Sequence, residues 1–114
     1  MNNLNESQMK WLEFWIGEND YVMEFVYNNL DNKYFHPFYD IVMAEDEIMK
    51  DTTKPLFRLS TTRPNAISMT YYDNGIHHTR YMIVKMDDEI ILKSKFSSYG
   101  DIDVIVKAML DYYG

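Results

Sequence analysis

The chain has 114 residues, of which 46% are hydrophobic and 16% aromatic, and its formal net charge is −7. This size and composition fit one domain with its own core, and they exclude both a disordered chain and a large scaffold such as a full β/α barrel. The absence of cysteine excludes disulfide bonds, thiolate metal sites and a cysteine nucleophile. We therefore expect residues 1–114 to form a single domain.

The N-terminus and the apolar segments bear on the compartment. Residues 1–5 lack the basic start and the apolar block of a secretion signal. No apolar run reaches the length that a membrane-spanning helix needs. We therefore expect a cytoplasmic protein that has no membrane partner.

Charge is unevenly distributed along the chain. Residues 1–53 contain eleven acidic and three basic side chains, whereas residues 54–100 contain four acidic and seven basic ones. Net negative charge repels nucleic acid over the Debye length, which is roughly 8–10 Å, and it attracts basic proteins. The charge therefore predicts a basic protein partner, of which nucleic-acid enzymes are one kind, and it disfavours direct binding of nucleic acid.

The first predicted helix spans residues 5–16. Asn5 can cap its N-terminus, Gln8 completes a capping box, and Gly17 can end it. Apolar and aromatic side chains cover more than half of its circumference. Such a helix is either largely buried, or buried on one side and bound to something on the other.

Two further helices are predicted before the first strand. Asp20 is a suitable cap for the second helix, which ends at Leu30. Pro37 fits the first turn of the third helix, and an extended edge over residues 34–43 is the alternative. The apolar face predicted for the third helix consists of Phe38, Ile41, Val42, Ile48 and Met49.

From Leu56 onward the apolar residues recur with a period of two, which is typical of β-strands. The dipeptide Asn74-Gly75 between two alternating runs favours a two-residue type I′ hairpin turn. The predicted strands span residues 56–62, 66–72, 77–86 and 90–96. The hairpin pairs Tyr72 with His77, Thr70 with Thr79 and Ser68 with Tyr81, and its other face carries Ile67, Met69, Tyr71, His78, Arg80 and Met82.

The turn at residues 87–89 allows two registers between the third and fourth strands. A three-residue loop places two sets of residues on one face, namely Met82, Val84 and Met86 with Ile90, Leu92 and Phe96. A two-residue loop instead aligns Ile83 with Leu92. The pattern leaves both registers open.

A C-terminal helix completes the predicted fold. Asp101 can cap it, and apolar residues follow at helical spacing. These residues are Ile102, Ile105, Val106, Met109, Leu110 and Tyr113. The order of elements predicts an α+β, two-layer single domain with N-terminal helices, a four-stranded antiparallel β-meander and a C-terminal helix.

The sequence contains no motif for catalysis, a cofactor or a metal. His77 and His78 are adjacent strand residues, so their imidazoles point to opposite faces. Glu45, Asp46 and Glu47 diverge around a helix instead of converging on one pocket. A GxSxG nucleophile elbow and a glycine-rich phosphate loop are both absent. We therefore predict a protein that is not an enzyme and that takes no cofactor and no metal.

The aromatic and methionine content indicates a binding protein. Ten tyrosines, two tryptophans and nine methionines exceed what a small core needs, and such residues anchor interfaces. The small, acidic, motif-poor chain resembles proteins of phages and mobile elements, many of which inhibit a host enzyme by binding it. We hypothesise an inhibitor that blocks a nucleic-acid-handling host protein by charge mimicry. The predicted protein-binding residues are Glu45, Asp46, Glu47, Asp51, Tyr71, Tyr72 and Asp73.

Two alternative functions also fit the sequence. The first is a homo-oligomeric structural or assembly protein, which associates through the sheet face or through the helix that carries Trp11 and Trp15. The second is a weak binder of single-stranded nucleic acid, because cations beside aromatic side chains on an open sheet can hold stacked bases. The residues predicted to share that exposed face are Arg58, Tyr72, Tyr81, Lys85, Lys93 and Lys95.

Overall fold

The computed structural model describes residues 4–95 and 98–113, with the side chains of residues 98, 99 and 113 left out. Three helices come first, namely α1 (Glu6–Ile16), α2 (Asp20–Asn29) and α3 (Ile41–Lys50). The strands β1 (Leu56–Leu59), β2 (Ala66–Tyr72), β3 (Ile76–Met86), β4 (Glu89–Lys93) and β5 (Ser98–Tyr99) follow, and α4 (Ile102–Tyr113) completes the chain. The predicted α+β class, helices and four-stranded meander are confirmed, and β5 adds a two-residue strand at the edge. Two predicted apolar positions, Phe96 and the Tyr113 side chain, lie outside the described part.

The first two helices begin at side-chain caps. The predicted capping box of α1 is confirmed, because the Gln8 amide donates to Asn5 Oδ1 at 2.8 Å and the Asn5 amide donates to Gln8 Oε1 at 3.0 Å. Gly17, with φ of +67°, ends this helix. The cap of α2 is Asn19, one residue before the predicted Asp20, because the Asn19 side chain accepts from the Val22 amide at 3.4 Å.

The third helix starts later than the sequence predicted. Asp40 caps it, and Asp40 Oδ1 accepts from the Met43 amide at 2.8 Å. The predicted apolar face is correct at Ile48, which is buried against the sheet together with Ala44, a residue that was not predicted. The residues that prove exposed are Ile41, Val42 and Met49.

The segment before α3 is extended in part, which agrees in part with the alternative prediction of an extended edge over residues 34–43. Phe35 forms an isolated parallel bridge with Phe57 of β1. The His36 amide donates to the Phe57 carbonyl at 2.7 Å, and the Phe57 amide donates to the Tyr34 carbonyl at 2.8 Å. The chain therefore runs along the outer side of β1 for a few residues before it turns into α3.

The five strands form one antiparallel meander in the order β1-β2-β3-β4-β5. The predicted register of the β2–β3 hairpin is wrong by one residue. Asp73 joins Asn74 and Gly75 in a three-residue loop, in which the Asp73 amide donates to the Gly75 carbonyl at 2.9 Å and Asn74 adopts φ of +55°. The pairs are consequently Tyr72 with Ile76, Thr70 with His78, Ser68 with Arg80 and Ala66 with Met82.

This shift moves several side chains of β3 to the other face. His78, Arg80 and Met82 share a face with Ser68 and Thr70, and not with Ile67 and Met69 as predicted. At the next turn the two-residue alternative is correct, because Ile83 pairs with Leu92 and both Asp87 and Asp88 have positive φ.

Helices cover both faces of the sheet, which departs from the expected two-layer packing. The main core combines residues of α1, α2 and α4 with Phe57, Leu59, Ile67 and Ile83. A second cluster on the opposite face consists of Ala44 and Ile48 from α3 together with Leu56. We call this opposite side of the sheet the α3 face. In the described part of the chain, no helix has the length and apolar character of a membrane span.

Candidate anion-binding site

Arg58 is a buried arginine that forms no ion pair with any carboxylate in the described part of the chain. Only 7% of the residue is exposed, although arginine is rarely buried without a paired charge. Its Nη1 donates a long hydrogen bond of 3.5 Å to the Leu59 carbonyl. Among the described residues, Nε of Arg58 is the one buried side-chain nitrogen or oxygen that has no hydrogen-bond partner. A buried donor of this kind costs free energy, so the position is better explained by a ligand than by stability.

The alternation of β1 directs Arg58 to the α3 face. Phe57 and Leu59 enter the main core, and the side chain between them must point to the other side. Ser68 of β2 stands opposite Arg58, and Arg80 of β3 stands opposite Ser68. Two arginines therefore flank a small serine in one row that crosses three strands.

The loop between β1 and β2 closes one end of this row. Ser60 Oγ accepts from the amides of Thr62 and Arg63 at 3.2 and 3.1 Å, which folds the loop into a tight turn. Arg80 Nη2 donates to Thr62 Oγ1 at 3.4 Å and so is directed towards the same loop. Arg63 is exposed in this loop. Cationic groups thus gather where β1 ends and β2 begins.

Two carboxylates lie near Arg58 without forming an ion pair with it. Burial lowers the pKa of Arg58, and the charges of Asp40 and Glu45 partly oppose that effect. Asp40 is engaged in capping α3, and Glu45 Oε2 lies 2.9 Å from Nε2 of His78. Arginine stays protonated at any ordinary pH, so this buried positive charge has no carboxylate in an ion pair with it among the described residues.

His78 links α3 to the sheet. Its Nε2 bonds to Glu45, and its Nδ1 lies 2.9 Å from Thr70 Oγ1. A carboxylate, an imidazole and a hydroxyl in series can activate a nucleophile, but the Thr70 side chain is fully buried and no substrate can reach it. The chain of hydrogen bonds therefore orients side chains and does not form a nucleophilic site.

These residues together form a candidate site for an anion. Arginine presents a planar fork of donors that matches the oxygens of phosphate or carboxylate, and a water-poor setting strengthens the bond. Sequence reasoning selected Arg58 for another role, and it missed Arg80 and His78 because the predicted register placed them on the wrong face. The sequence did contain one indication of this site, because Arg58 is a single charged residue between apolar residues of a buried strand. We call the following set the Arg58 site: Arg58, Ser60, Thr62, Ser68, Thr70, His78 and Arg80.

The residues predicted to bind a protein partner fall into two separate groups. The acidic group lies on α3 and just after it. Glu45 bonds to His78, Glu47 pairs with Lys50 at 3.0 Å, and Asp46 is exposed. Asp51 is exposed, and hydrogen bonds from Thr53 lower its pKa. The aromatic group, Tyr71, Tyr72 and Asp73, lies at the hairpin end of β2, where the two tyrosines point to opposite faces.

The six residues predicted for the nucleic-acid alternative do not share a face. Arg58, Tyr72 and Lys93 belong to the α3 face by strand alternation. Tyr81 is 95% buried in the main core, and Lys85 lies on that same side of β3. Lys95 follows the end of β4 and is exposed. The residues that were predicted to share one exposed face are therefore divided between the two sides of the sheet.

The arrangement of a central antiparallel meander with α3 on one face and α4 on the other is similar to that of an SH2 domain of known structure. Among solved structures, the SH2 domain of RavO from Legionella pneumophila, determined as the apoprotein, matches with a TM-score of 0.58. The match covers 81% of this chain and 92% of that one at 14% identity, and it shows the fold. The sequence matches no protein-family model and no curated protein.

Proposed function

We propose that this domain binds a phosphorylated segment of a protein partner and that Arg58 holds the phosphate. The observation that carries the proposal is the buried guanidinium with an unpartnered Nε and no counter-ion among the described residues. Recognition of phosphorylated or acidic segments by arginine clusters is a recurring mode of peptide binding, and SH2 domains use it. The SH2-like fold supports the same reading.

The charge and the depth of the site favour one kind of phosphate. A phosphoryl group carries a charge of about −1.5 to −2, which suits a pair of arginines better than a single carboxylate does. Arg58 lies below the surface, so the phosphate must sit at the end of a long and slender side chain. Phosphotyrosine meets this requirement, whereas phosphoserine is several bonds shorter.

The test is fluorescence anisotropy with three labelled peptides of one sequence, carrying phosphotyrosine, phosphoserine or unmodified tyrosine. Wild type should prefer phosphotyrosine, and Arg58→Met should weaken that binding at least about thirtyfold because a buried charge-assisted contact is lost. Lys85→Met is the matched control, since it removes one positive charge from the other side of β3. Equal binding of the three peptides, or unchanged binding by Arg58→Met, would overturn the proposal.

Charge mimicry is a second candidate, supported by the acidic first half of the chain and by the exposed Asp46 on α3. In this function carboxylates would replace backbone phosphates in the groove of a basic nucleic-acid enzyme, as expected of a phage or mobile-element inhibitor. Replacing Glu45, Asp46 and Glu47 by lysine should weaken capture of such an enzyme more than tenfold. Unchanged capture by a variant with a native circular dichroism spectrum would exclude it.

A further inference from the structure

Glu45 lies on the helix that packs against the strand of Arg58, because its neighbour Ala44 packs with Leu56, which shares a face of β1 with Arg58. It nevertheless bonds to another residue. Its charge is near enough to raise the pKa of Arg58, but its Oε2 lies 2.9 Å from Nε2 of His78. The Glu45 side chain is 42% exposed, so it has room to change rotamer. A change of rotamer is the motion by which this carboxylate on α3 would approach Arg58 on the sheet.

A carboxylate that reached Arg58 would compete with any phosphate. Arginine and carboxylate form a strong, often bidentate pair, and the unpartnered Nε of Arg58 is a donor that such a pair would satisfy. The protein therefore carries a potential internal competitor next to its proposed ligand site. The anion site stays open only if another residue keeps the Glu45 carboxylate away from the Arg58 guanidinium.

His78 is held in the position that keeps Glu45 occupied. Thr70 Oγ1 lies 2.9 Å from Nδ1 of His78, and the Thr70 side chain is fully buried. A hydroxyl can donate or accept, so this contact persists for the neutral and the charged imidazole. A carboxylate only accepts, so Nε2 must be the donor towards Glu45.

We propose that His78 is a positioning residue that holds Glu45 away from Arg58 and thereby keeps the anion site open. The inference rests on the proposed function, because it concerns access to the same guanidinium. Thr70 anchors the imidazole, the imidazole restrains the carboxylate, and Arg58 is left for an external oxyanion.

The test is a double-mutant cycle with phenyl phosphate as the probe, measured by calorimetry on wild type, His78→Ala, Glu45→Gln and the double variant. His78→Ala should weaken binding at least about fivefold, since the released carboxylate can pair with Arg58. Glu45→Gln should raise affinity only slightly in wild type, about twofold, but should restore most of the loss in the His78→Ala background. An equal gain in both backgrounds would overturn the inference.

A second measurement needs no ligand, so it remains useful if a variant folds too poorly for the binding experiment. The Nε–H resonance of Arg58 in nitrogen–proton correlation spectra should move downfield and exchange more slowly in His78→Ala, and it should return to its wild-type position in the double variant. An unmoved resonance would overturn the inference. His78→Gln retains an amide donor and should behave as wild type, whereas a phenotype equal to that of His78→Ala would argue against the restraint.

The two proposals fail in different ways. If Arg58→Met binds phenyl phosphate as well as wild type, the proposed function fails, while the Nε–H measurement still decides the role of His78. If Arg58 is required but the cycle shows no coupling, the proposed function stands and the inference about His78 falls.

Discussion

Arg58 and Arg80 stand in one row of the sheet, separated by Ser68 on the strand between them. Adjacent strands lie about 4.8 Å apart, so the two arginine Cα atoms are about 10 Å from each other. Ser68 has a small side chain, so no bulky residue stands between the two arginines in this row. In the proposed function, this spacing allows one anion to contact both guanidinium groups.

The first prediction concerns the stability cost of the site. Arg58→Met removes a buried guanidinium that lacks a counter-ion and replaces it with an apolar side chain that suits the same space. The free energy of unfolding should therefore rise by about 1–3 kcal/mol, even though phosphate binding is lost. Urea denaturation measures the change, and Lys85→Met should differ from wild type by less than about 0.5 kcal/mol. A destabilised Arg58→Met would mean that the arginine supports the fold.

The second prediction separates two roles of Asp40. Asp40→Asn keeps a good helix cap but removes the charge that acts most strongly on Arg58. Its affinity for phenyl phosphate should rise about fivefold, because a nearby negative charge opposes the ligand by about 1 kcal/mol. Asp40→Ala also lacks the cap and should lose about 1 kcal/mol of stability. Equal affinity of wild type and Asp40→Asn would show that the carboxylate does not influence the ligand.

The third prediction concerns pH. Burial lowers the pKa of His36 below its usual value of 6.5, while Glu47 and a backbone contact at Lys33 partly oppose that shift. The unfolded chain therefore binds a proton more readily than the folded one, and stability should fall as the pH drops below about 6.5. His36→Gln should lose less free energy of unfolding between pH 7.5 and 5.5 than wild type.

The matched control for this experiment is His77→Gln, which changes an exposed histidine. A change in pH dependence shared by both variants would not be specific to the buried position 36. If His36→Gln and wild type showed the same pH dependence, another group would be responsible. The comparison uses only the slope of the free energy of unfolding against pH. His36 stacks on Tyr39, and a loss of stability from losing this stacking at every pH does not affect the slope.

The fourth prediction tests the main core. Phe57 is fully buried and lies between residues of the N-terminal helices and Tyr81. Phe57→Ala should lower the free energy of unfolding by about 3–5 kcal/mol, because it leaves a large cavity in a packed region. Phe14 is 85% exposed, and Phe14→Ala should change stability by less than about 0.5 kcal/mol. Similar losses in the two variants would contradict the described packing.

Local rules account for most of the elements that the sequence predicted. The capping box of Asn5 and Gln8, the Asp101 cap of α4 and the period of two in the strands depend on neighbouring residues, and each appears in the structure. The start of α3 was missed for a related reason. Pro37 and Asp40 are both acceptable starting residues, and only the packing of Ala44 and Ile48 on the sheet selects the second.

The site could not be predicted because it depends on register. Asn74-Gly75 suits a two-residue turn as well as the observed loop that includes Asp73, and the difference of one residue decides which face His78 and Arg80 occupy. The main core makes the choice, since Tyr81 and Ile83 must meet Ile67 and Leu92 on the covered side. Contacts between residues far apart in the sequence therefore determine the composition of the Arg58 site.

The alternation of β1 has a consequence for sequence divergence. Phe57 and Leu59 lie in the main core, and Arg58 lies between them on the opposite side. A slip of this strand by one position would bring a charged side chain into the apolar core, at a cost of several kcal/mol. A lineage that keeps the domain folded must then also keep this arginine position facing α3. The core can change its side chains during evolution while the orientation of position 58 is inherited with the fold.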